Sequence, residues 1–103
     1  MDNGNVNSLI ELVKKKLNIT WEDEDTNQQI NFIIEDSIHA IDHKLGIKNS
    51  ECDYSKPGQE RLLFENYCMY EWNNCLNEFD ANYSNEIFQL RARWEVYYAT
   101  KEE

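Results

Sequence analysis

Two histidines and a glutamate are the residues of this sequence whose types and spacing best suit metal chemistry. Glu35, His39 and His43 follow one another at intervals of four residues, so a helix would place them along one line of its surface. Histidines at this spacing can bind one metal ion together. The sequence lacks the intervening glutamate of the H-E-x-x-H zinc motif, and this helix face is otherwise mostly charged. We therefore expect adventitious metal binding at most, and no metal site in the function.

Glu65 and Glu71 are the next candidates for chemistry, because they fall within or beside apolar faces of a predicted helix. Burial can raise the pKa of a carboxyl group until it serves as a general acid or base. Arg61 lies one turn before Glu65, however, and Arg91 and Arg93 are also available, so ion pairs account for both carboxylates. The sequence contains no glycine-rich phosphate loop and no G-x-S-x-G motif. We therefore predict a protein that is not an enzyme, with no catalytic residues and no cofactor.

The acidic composition limits the partners of this chain. Twenty Asp and Glu residues against ten Lys and Arg give a formal net charge of -10. Binding to nucleic-acid phosphates or to anionic lipids needs a basic surface, so both are disfavoured. No apolar run approaches the ~20 residues of a membrane span, and residues 1–8 do not resemble a signal peptide. An odd number of cysteines, Cys52, Cys68 and Cys75, predicts reduced core thiols in an intracellular protein.

The chain of 103 residues is long enough for one domain with a modest core, and its apolar spacing is helical. We predict an all-α fold: a small bundle of about four helices around a central long third helix, with a loop between helices two and three. A single helical domain should cover residues 8–100, between a flexible N-terminus at 1–7 and a frayed C-terminus at 101–103. The predicted helices span residues 9–17, 27–45, 57–79 and 85–99.

Capping residues set the predicted helix boundaries. Polar side chains that accept backbone N–H bonds mark the starts, and glycine marks an end. The segment DANYS separates the third helix from the fourth. The predicted N-caps are Ser8 for helix one, in a capping box with Glu11, Asp25 or Thr26 for helix two, and Ser55, ahead of Pro57, for helix three. Gly46 is the predicted C-cap of helix two.

The third predicted helix is central because apolar residues nearly encircle it, with Leu62 extending its main apolar face. Only a narrow stripe of Asn66, Asn73 and Asn77 is consistently polar. Such a helix is normally covered by neighbours on several sides, and helices two and four each offer it an apolar stripe. The predicted core residues are Ile34, Ile38, Ile41, Phe64, Tyr67, Trp72, Leu76, Phe79, Leu90 and Trp94.

Two sets of apolar residues fall outside these core stripes. Phe32 interrupts the charged face of helix two, and an exposed aromatic on such a face can mark an interaction site. On helix four, Phe88, Ala92 and Val96 form a second apolar strip, which suits contact with another subunit. A wide core face is the alternative explanation of that strip. We predict these four residues as interface residues.

The order of these parts resembles the head-to-tail connector proteins, also called adaptor or DNA-packaging connector proteins, of tailed bacteriophages and prophages. The likeness covers about residues 8–95: a short helix, ITWEDEDTNQQINFIIEDSIHAIDHKLG, a variable loop, and RLLFENYCMYEWNNCLNEFDANYSNEIFQLR. Its most specific part holds Tyr67, Tyr70 and Asn74, followed by the FDANYSNEIFQLR junction. The chain departs from the family at Met69 and Trp72, where members tend to carry arginines.

The resemblance implies a structural protein of the virion. Its copies would form a ring of about twelve subunits that joins the portal protein to the downstream neck, stopper or tail-completion protein. The ring would form part of the DNA channel, through which DNA passes without specific binding, and an acidic lumen would let it slide. The implied locations are the head-tail joint of the virion and, during assembly, the host bacterial cytoplasm, with no membrane contact.

Functions of two other classes stay open at this point. An acidic inhibitor that mimics DNA would place carboxylates at phosphate spacing on one surface. Residues 22–25, Asp36, Asp42 and Glu51 could supply them. A metal-dependent enzyme would use the two histidines and the glutamate described above.

Overall fold

The computed structural model describes the backbone of residues 3–101 and the side chains of residues 9–101. Within these residues the chain forms five α-helices and one 3-10 turn. No strand occurs within those residues. The predicted class, an all-α bundle with a loop between helices two and three, is confirmed. The elements are α1 (Asn3–Lys16), α2 (Glu24–Leu45), α3 (Gln59–Trp72), the 3-10 turn (Leu76–Glu78), α4 (Phe79–Asn82) and α5 (Ser84–Lys101).

Helix α1 begins earlier than the sequence predicted. It starts at Asn3, so Ser8 lies inside the helix and the prediction of Ser8 as its N-cap is wrong. Asparagine and glycine are poor helix formers, which made the first residues look irregular. Val6 nevertheless continues the helical spacing of Leu9 and Val13, both of which are buried.

The two ends of the chain are described only in part. Residues 3–7, which we predicted to be flexible, belong to α1, and α5 runs to Lys101 at the start of the segment predicted to fray. Residues 1–2 and 102–103 lie outside the described residues.

Helix α2 is capped at both ends. Its N-cap is Asp23, whose Oδ2 accepts hydrogen bonds from the Thr26 backbone N–H at 3.1 Å and from Thr26 Oγ1 at 2.8 Å. Asp25 and Thr26, the predicted caps, instead lie in the first turn, where acidic residues also suit the helix dipole. The C-cap is Gly46, as predicted, with a φ of 72° that favours glycine.

Helix α3 contacts three other helices, as predicted for a central helix, but it is shorter than predicted and shares this position with α2. It contacts α1, α2 and α5, and its Phe64 and Cys68 are fully buried. It ends at Trp72, because Asn73 caps it and Asn74 takes a left-handed conformation with a φ of 58°. The prediction of one helix over residues 57–79 is therefore wrong, and the longest helix is α2, with 22 residues.

The start of α3 also differs from the prediction. Its N-cap is Gly58, whose φ of 153° favours glycine and which offers no side-chain hydrogen bond. Ser55, the predicted N-cap ahead of Pro57, belongs instead to a turn within the preceding loop. Its Oγ and its backbone N–H both donate to Asp53 Oδ1, at 2.6 and 3.0 Å.

The core lies between the inward faces of α1, α2, α3 and α5. Its centre is the isoleucine stripe of α2, together with Phe64 from α3 and Leu90 from α5. Of the predicted core residues, the buried ones are Ile34, Ile41, Phe64, Phe79 and Leu90. The partly buried ones are Ile38, Tyr67, Trp72, Leu76 and Trp94.

Phe79 joins three elements at one end of the bundle. It is the first residue of α4 and only 1% exposed. The rings of Tyr67 and Tyr70 from α3 meet it edge-on at centroid distances of 4.9 and 5.5 Å, and the Tyr83 ring stacks on it at 4.8 Å. Aromatic pairs at these separations stabilise beyond the area they bury. This cluster fixes where α5 begins relative to α3.

Phe79→Ala should therefore be strongly destabilising. We expect the free energy of unfolding to fall by about 3–5 kcal/mol, because the change removes a fully buried ring and leaves a cavity among three tyrosines. Urea unfolding followed by circular dichroism measures this loss. Phe88→Ala is the matched control: Phe88 is 73% exposed, and its loss should stay within about 0.5 kcal/mol. A loss below about 1 kcal/mol for Phe79→Ala would contradict the assigned role of the ring.

Candidate interface surfaces

The first candidate surface is the outward face of α2 around Phe32. The Phe32 side chain is 66% exposed, whereas the isoleucines on the opposite side of α2 are buried. Its neighbours one helical turn away are exposed polar or charged residues. We call this area the Phe32 surface; it consists of Gln28, Phe32, Glu35, Asp36 and His39.

The second candidate surface is an apolar line on the outward side of α5. Phe88 is 73% exposed and Val96 is 66% exposed, and Ala92, between them, is exposed as well. These residues are four apart, so they share one helix face, which lies away from the buried Leu90. We call this line the α5 stripe. The wide core face considered as an alternative is excluded by this exposure, while a role of the stripe in binding stays a prediction.

A third apolar feature was not predicted from the sequence. A groove of about 240 Å³ runs between α3 and α5. Leu62 had been predicted to extend the buried face of α3, but it is 54% exposed at this groove, so that prediction is wrong. The α3–α5 groove is lined by Gln59, Leu62, Leu63, Asn66, Tyr83, Glu86 and Leu90. The groove exists because of the distance at which α3 and α5 pack. That distance cannot be predicted from the sequence of either helix alone.

Two of the three arginines are held by carboxylates. Arg61 Nε lies 3.8 Å from Glu65 Oε2, which confirms the predicted ion pair, and Arg91 Nε lies 3.5 Å from Glu95 Oε2. Arg93 forms no ion pair with any residue that the structure describes. Its Nη2 donates to Gln59 Oε1 at 2.7 Å, beside the α3–α5 groove.

Glu71 does not have the arginine partner predicted for it. One of its carboxylate oxygens is buried and accepts no hydrogen bond within the described part of the chain. The predicted pair within the subunit is therefore wrong, and the predicted alternative of an ion pair across an interface stays a prediction. Burial raises the pKa of Glu71, and the nearby negative charge of Asp36 raises it further. Asp36, which belongs to the Phe32 surface, thus places a second negative charge near Glu71.

The three residues considered as metal ligands, Glu35, His39 and His43, do not converge on further ligands within the described residues. His39 and His43 are exposed on α2, and the side chains that the structure describes contain no group of three or more His, Cys, Asp or Glu residues placed to hold a metal ion. The three cysteines are free. Burial raises the pKa of the Cys52 and Cys68 thiols to about 12, so both are protonated at neutral pH.

The loop between α2 and α3 is tied to the end of α5 through Glu51. The Glu51 carboxylate accepts hydrogen bonds from Tyr97 Oη at 2.6 Å, Tyr98 Oη at 2.9 Å and Lys101 Nζ at 3.2 Å. Donation from Tyr97, then Tyr98, lowers the pKa of Glu51. In addition, the Lys48 backbone N–H donates to Tyr98 Oη at 2.8 Å. These bonds fix the direction of α5 and hence of the α5 stripe.

The same loop is anchored in the core by Tyr54. The Tyr54 side chain is 2% exposed and stacks on Phe64 at a centroid distance of 5.0 Å. Its hydroxyl donates to Asp42 Oδ1 on α2 at 2.6 Å. Sequence reasoning left the role of Tyr54 undecided, because nothing in the local pattern shows which loop residue reaches the core.

No described helix is long and apolar enough to cross a membrane. The chain was also compared with known proteins. No protein-family model, no curated protein and no solved structure matches it.

The Tyr54–Asp42 hydrogen bond leads to a pH-dependent prediction. Burial raises the pKa of Asp42 above its ordinary value, so the ionised carboxylate opposes folding and depends on its donor. Tyr54→Phe should lower the free energy of unfolding by about 1–2 kcal/mol at neutral pH. The loss should shrink as the pH falls through the raised pKa of Asp42, because a protonated carboxyl no longer needs the donor. Urea unfolding across this pH range measures the effect.

Asp42→Asn supplies the control for this prediction. Asparagine keeps an acceptor for the Tyr54 hydroxyl and removes the buried charge. In the Asp42→Asn background, Tyr54→Phe should lower the free energy of unfolding by a smaller amount. This loss should not change as the pH passes through the range in which Asp42 titrates. An equal, pH-independent loss in both backgrounds would show that the charge of Asp42 is not what the hydroxyl stabilises.

Proposed function

We propose that this chain is a structural protein of the virion, a head-to-tail connector subunit that assembles into a ring between the portal protein and the downstream neck or tail. The observation that carries the proposal is the presence of two exposed apolar surfaces on different helices, the Phe32 surface and the α5 stripe. A ring that also binds the portal and a neck protein needs more than one exposed patch, because each subunit contacts its neighbours and a further component.

The connection between α3 and α5 supports the proposal. The FDANYSNEIFQLR segment, which belongs to the most specific part of the resemblance to connector proteins, forms α4 and the start of α5. Phe79 and Tyr83 in this segment belong to the aromatic cluster that sets the position of α5. The segment thus determines where the α5 stripe lies on the subunit.

The charge of the chain is compatible with a DNA conduit. The net charge of -10 would make DNA slide past a lumen lined by carboxylates, because like charges repel. The Asp and Glu side chains of residues 22–25 are all exposed, as are Glu35 and Asp36. In the assembled ring, the acids of residues 22–25 are expected to face the channel; a ring structure with them on its outer wall would contradict this part of the proposal.

An acidic inhibitor that mimics DNA is the second candidate, and the exposure of residues 22–25 and Asp36 favours it. Several of the expected carboxylates are already engaged within the chain, however. Glu22 Oε1 pairs with Lys14 Nζ at 2.6 Å, and Asp23 Oδ2 accepts from Thr26. Asp42 accepts from Tyr54, and Glu51 accepts from Tyr97, Tyr98 and Lys101. A mimic should bind a basic DNA-binding enzyme at low salt and release it steeply as salt rises.

Electron microscopy of particles that lack this chain tests the connector role. A phage or prophage with the gene deleted should yield separate filled heads and finished tails. Expression of the intact chain in the same host should restore joined virions. Intact virions in the deletion strain would reject the connector role, and capture of host DNA-binding enzymes would then test the inhibitor.

Phe32→Asp should separate assembly from folding. The side chain is 66% exposed, so the subunit should keep its helical content, while the ring interface should weaken roughly 10-fold or more through loss of an aromatic anchor. The readouts are circular dichroism for folding and the fraction of joined virions for assembly. Asn77→Asp is the matched control, since it adds the same charge at an exposed site away from both candidate surfaces. Normal joining with Phe32→Asp would remove Phe32 from the interface.

A further inference from the structure

The α3–α5 groove has the form of an acceptor for one aromatic side chain. Its inner wall is made by Leu63 and Leu90, which are 3% and 2% exposed, and Leu62 stands at its edge, 54% exposed. Its volume of about 240 Å³ is below the range of sites for drug-sized ligands, so it suits a single large side chain. Interfaces often bury an aromatic anchor in such a pocket, with a polar rim around it.

Phe32 has the form of a matching anchor. It is a lone exposed aromatic among polar and charged neighbours, which is the pattern of an anchor with a polar rim. The α5 stripe fits the groove less well, because it is an extended line with Ala92 at its middle. Phe88 also already lines a shallow depression on its own subunit, next to the ion pair of Lys44 with Asp80.

The Phe32 surface carries two acids, whereas the groove has one basic neighbour, Arg93, bonded to the lining residue Gln59, and one acid, Glu86, in its lining. Arg93, beside the groove, is the arginine without an ion pair to any described residue, and its described partner is the Gln59 amide. Glu35 and Asp36, on either side of the line through Phe32, are exposed and likewise form no ion pair within the described residues. A guanidinium next to these acids would offset the negative potential that also raises the pKa of Glu71. On the groove rim, Glu86 could accept from the exposed amide of Gln28.

We propose that the α3–α5 groove of one subunit receives Phe32 of a second copy, with Arg93 paired to Glu35 or Asp36 of that copy. The inference rests on the proposed function, because it assigns the contact between neighbours in the ring. The groove and Phe32 lie on different elements, so the contact is heterologous and each subunit has one anchor and one acceptor free for further copies. The α5 stripe is then left for the portal or the neck protein.

A charge-swap experiment tests this contact on the full chain. Self-association is measured by analytical ultracentrifugation at concentrations up to about 1 mM, the range of weak contacts. Arg93→Glu alone and Asp36→Arg alone should each weaken association roughly 10-fold, and the double variant should recover most of it. Arg91→Glu is the matched control, because Arg91 is paired with Glu95 away from the groove; it should leave association nearly unchanged.

Leu62→Glu provides a second, independent test of the groove. Leu62 is exposed, so the variant should fold, as circular dichroism can verify, but a carboxylate at the groove should abolish association. A chain that stays monomeric at about 1 mM would overturn the inference, as would association that Leu62→Glu and the single charge changes leave intact. If Phe88→Asp abolished association while Leu62→Glu did not, the α5 stripe would be the contact between copies.

The outcomes also distinguish this inference from the connector role. Joined virions that depend on the chain, together with association insensitive to Leu62→Glu, would overturn the groove contact and leave the connector role standing. Rescue of association by the charge swap, together with intact virions in the deletion strain, would reject the connector role and leave the groove contact standing.

Discussion

The small thickness of the helical bundle determines which side chains are buried and which are exposed. The smallest extent of the molecule is 19 Å, about two helix diameters. In a bundle two helices thick, each long helix buries one face and leaves the opposite one open. An isoleucine stripe fills the buried face of α2, and Leu90 with Trp94 marks the inner side of α5. Side chains on the exposed faces are available for contacts with other molecules. Phe32, Phe88 and Val96 lie on these faces.

Two clusters of side chains beyond the isoleucine stripe fix the position of α5, and with it one of these exposed faces. The aromatic cluster around Phe79 fixes the start of α5 against α3. The carboxylate of Glu51 fixes the other end of α5 against the loop after α2. With both ends held, the direction of α5 is defined, and so are the α5 stripe on one side of it and the groove on another. The α5 stripe and the groove therefore have defined positions relative to the core.

The sequence predicts the parts of this fold that depend on local rules. Gly46 ends α2 because glycine tolerates a positive φ, and the spacing of Ile30, Ile34 and Ile41 defines the buried face. Prediction from the sequence fails where several neighbouring residues are equally suited to begin or end a helix. Asp23, rather than Asp25 or Thr26, caps α2, and Asn74 breaks a helix whose apolar pattern continues past it. The exposed candidates were found from the pattern of single helices, whereas the groove requires the spacing of two helices, which no linear pattern contains.

The bonds around Glu51 also bear on how the chain folds. They connect residues 48 and 51 to residues 97–101, so they close a segment of about fifty residues. Helix pairs that are close in sequence can dock first at a smaller entropic cost, and this contact must wait until α3, α4 and α5 are in place. Interactions that form after the transition state slow unfolding without speeding folding. We therefore expect the bonds of Glu51 to affect the unfolding rate of a subunit more than its folding rate.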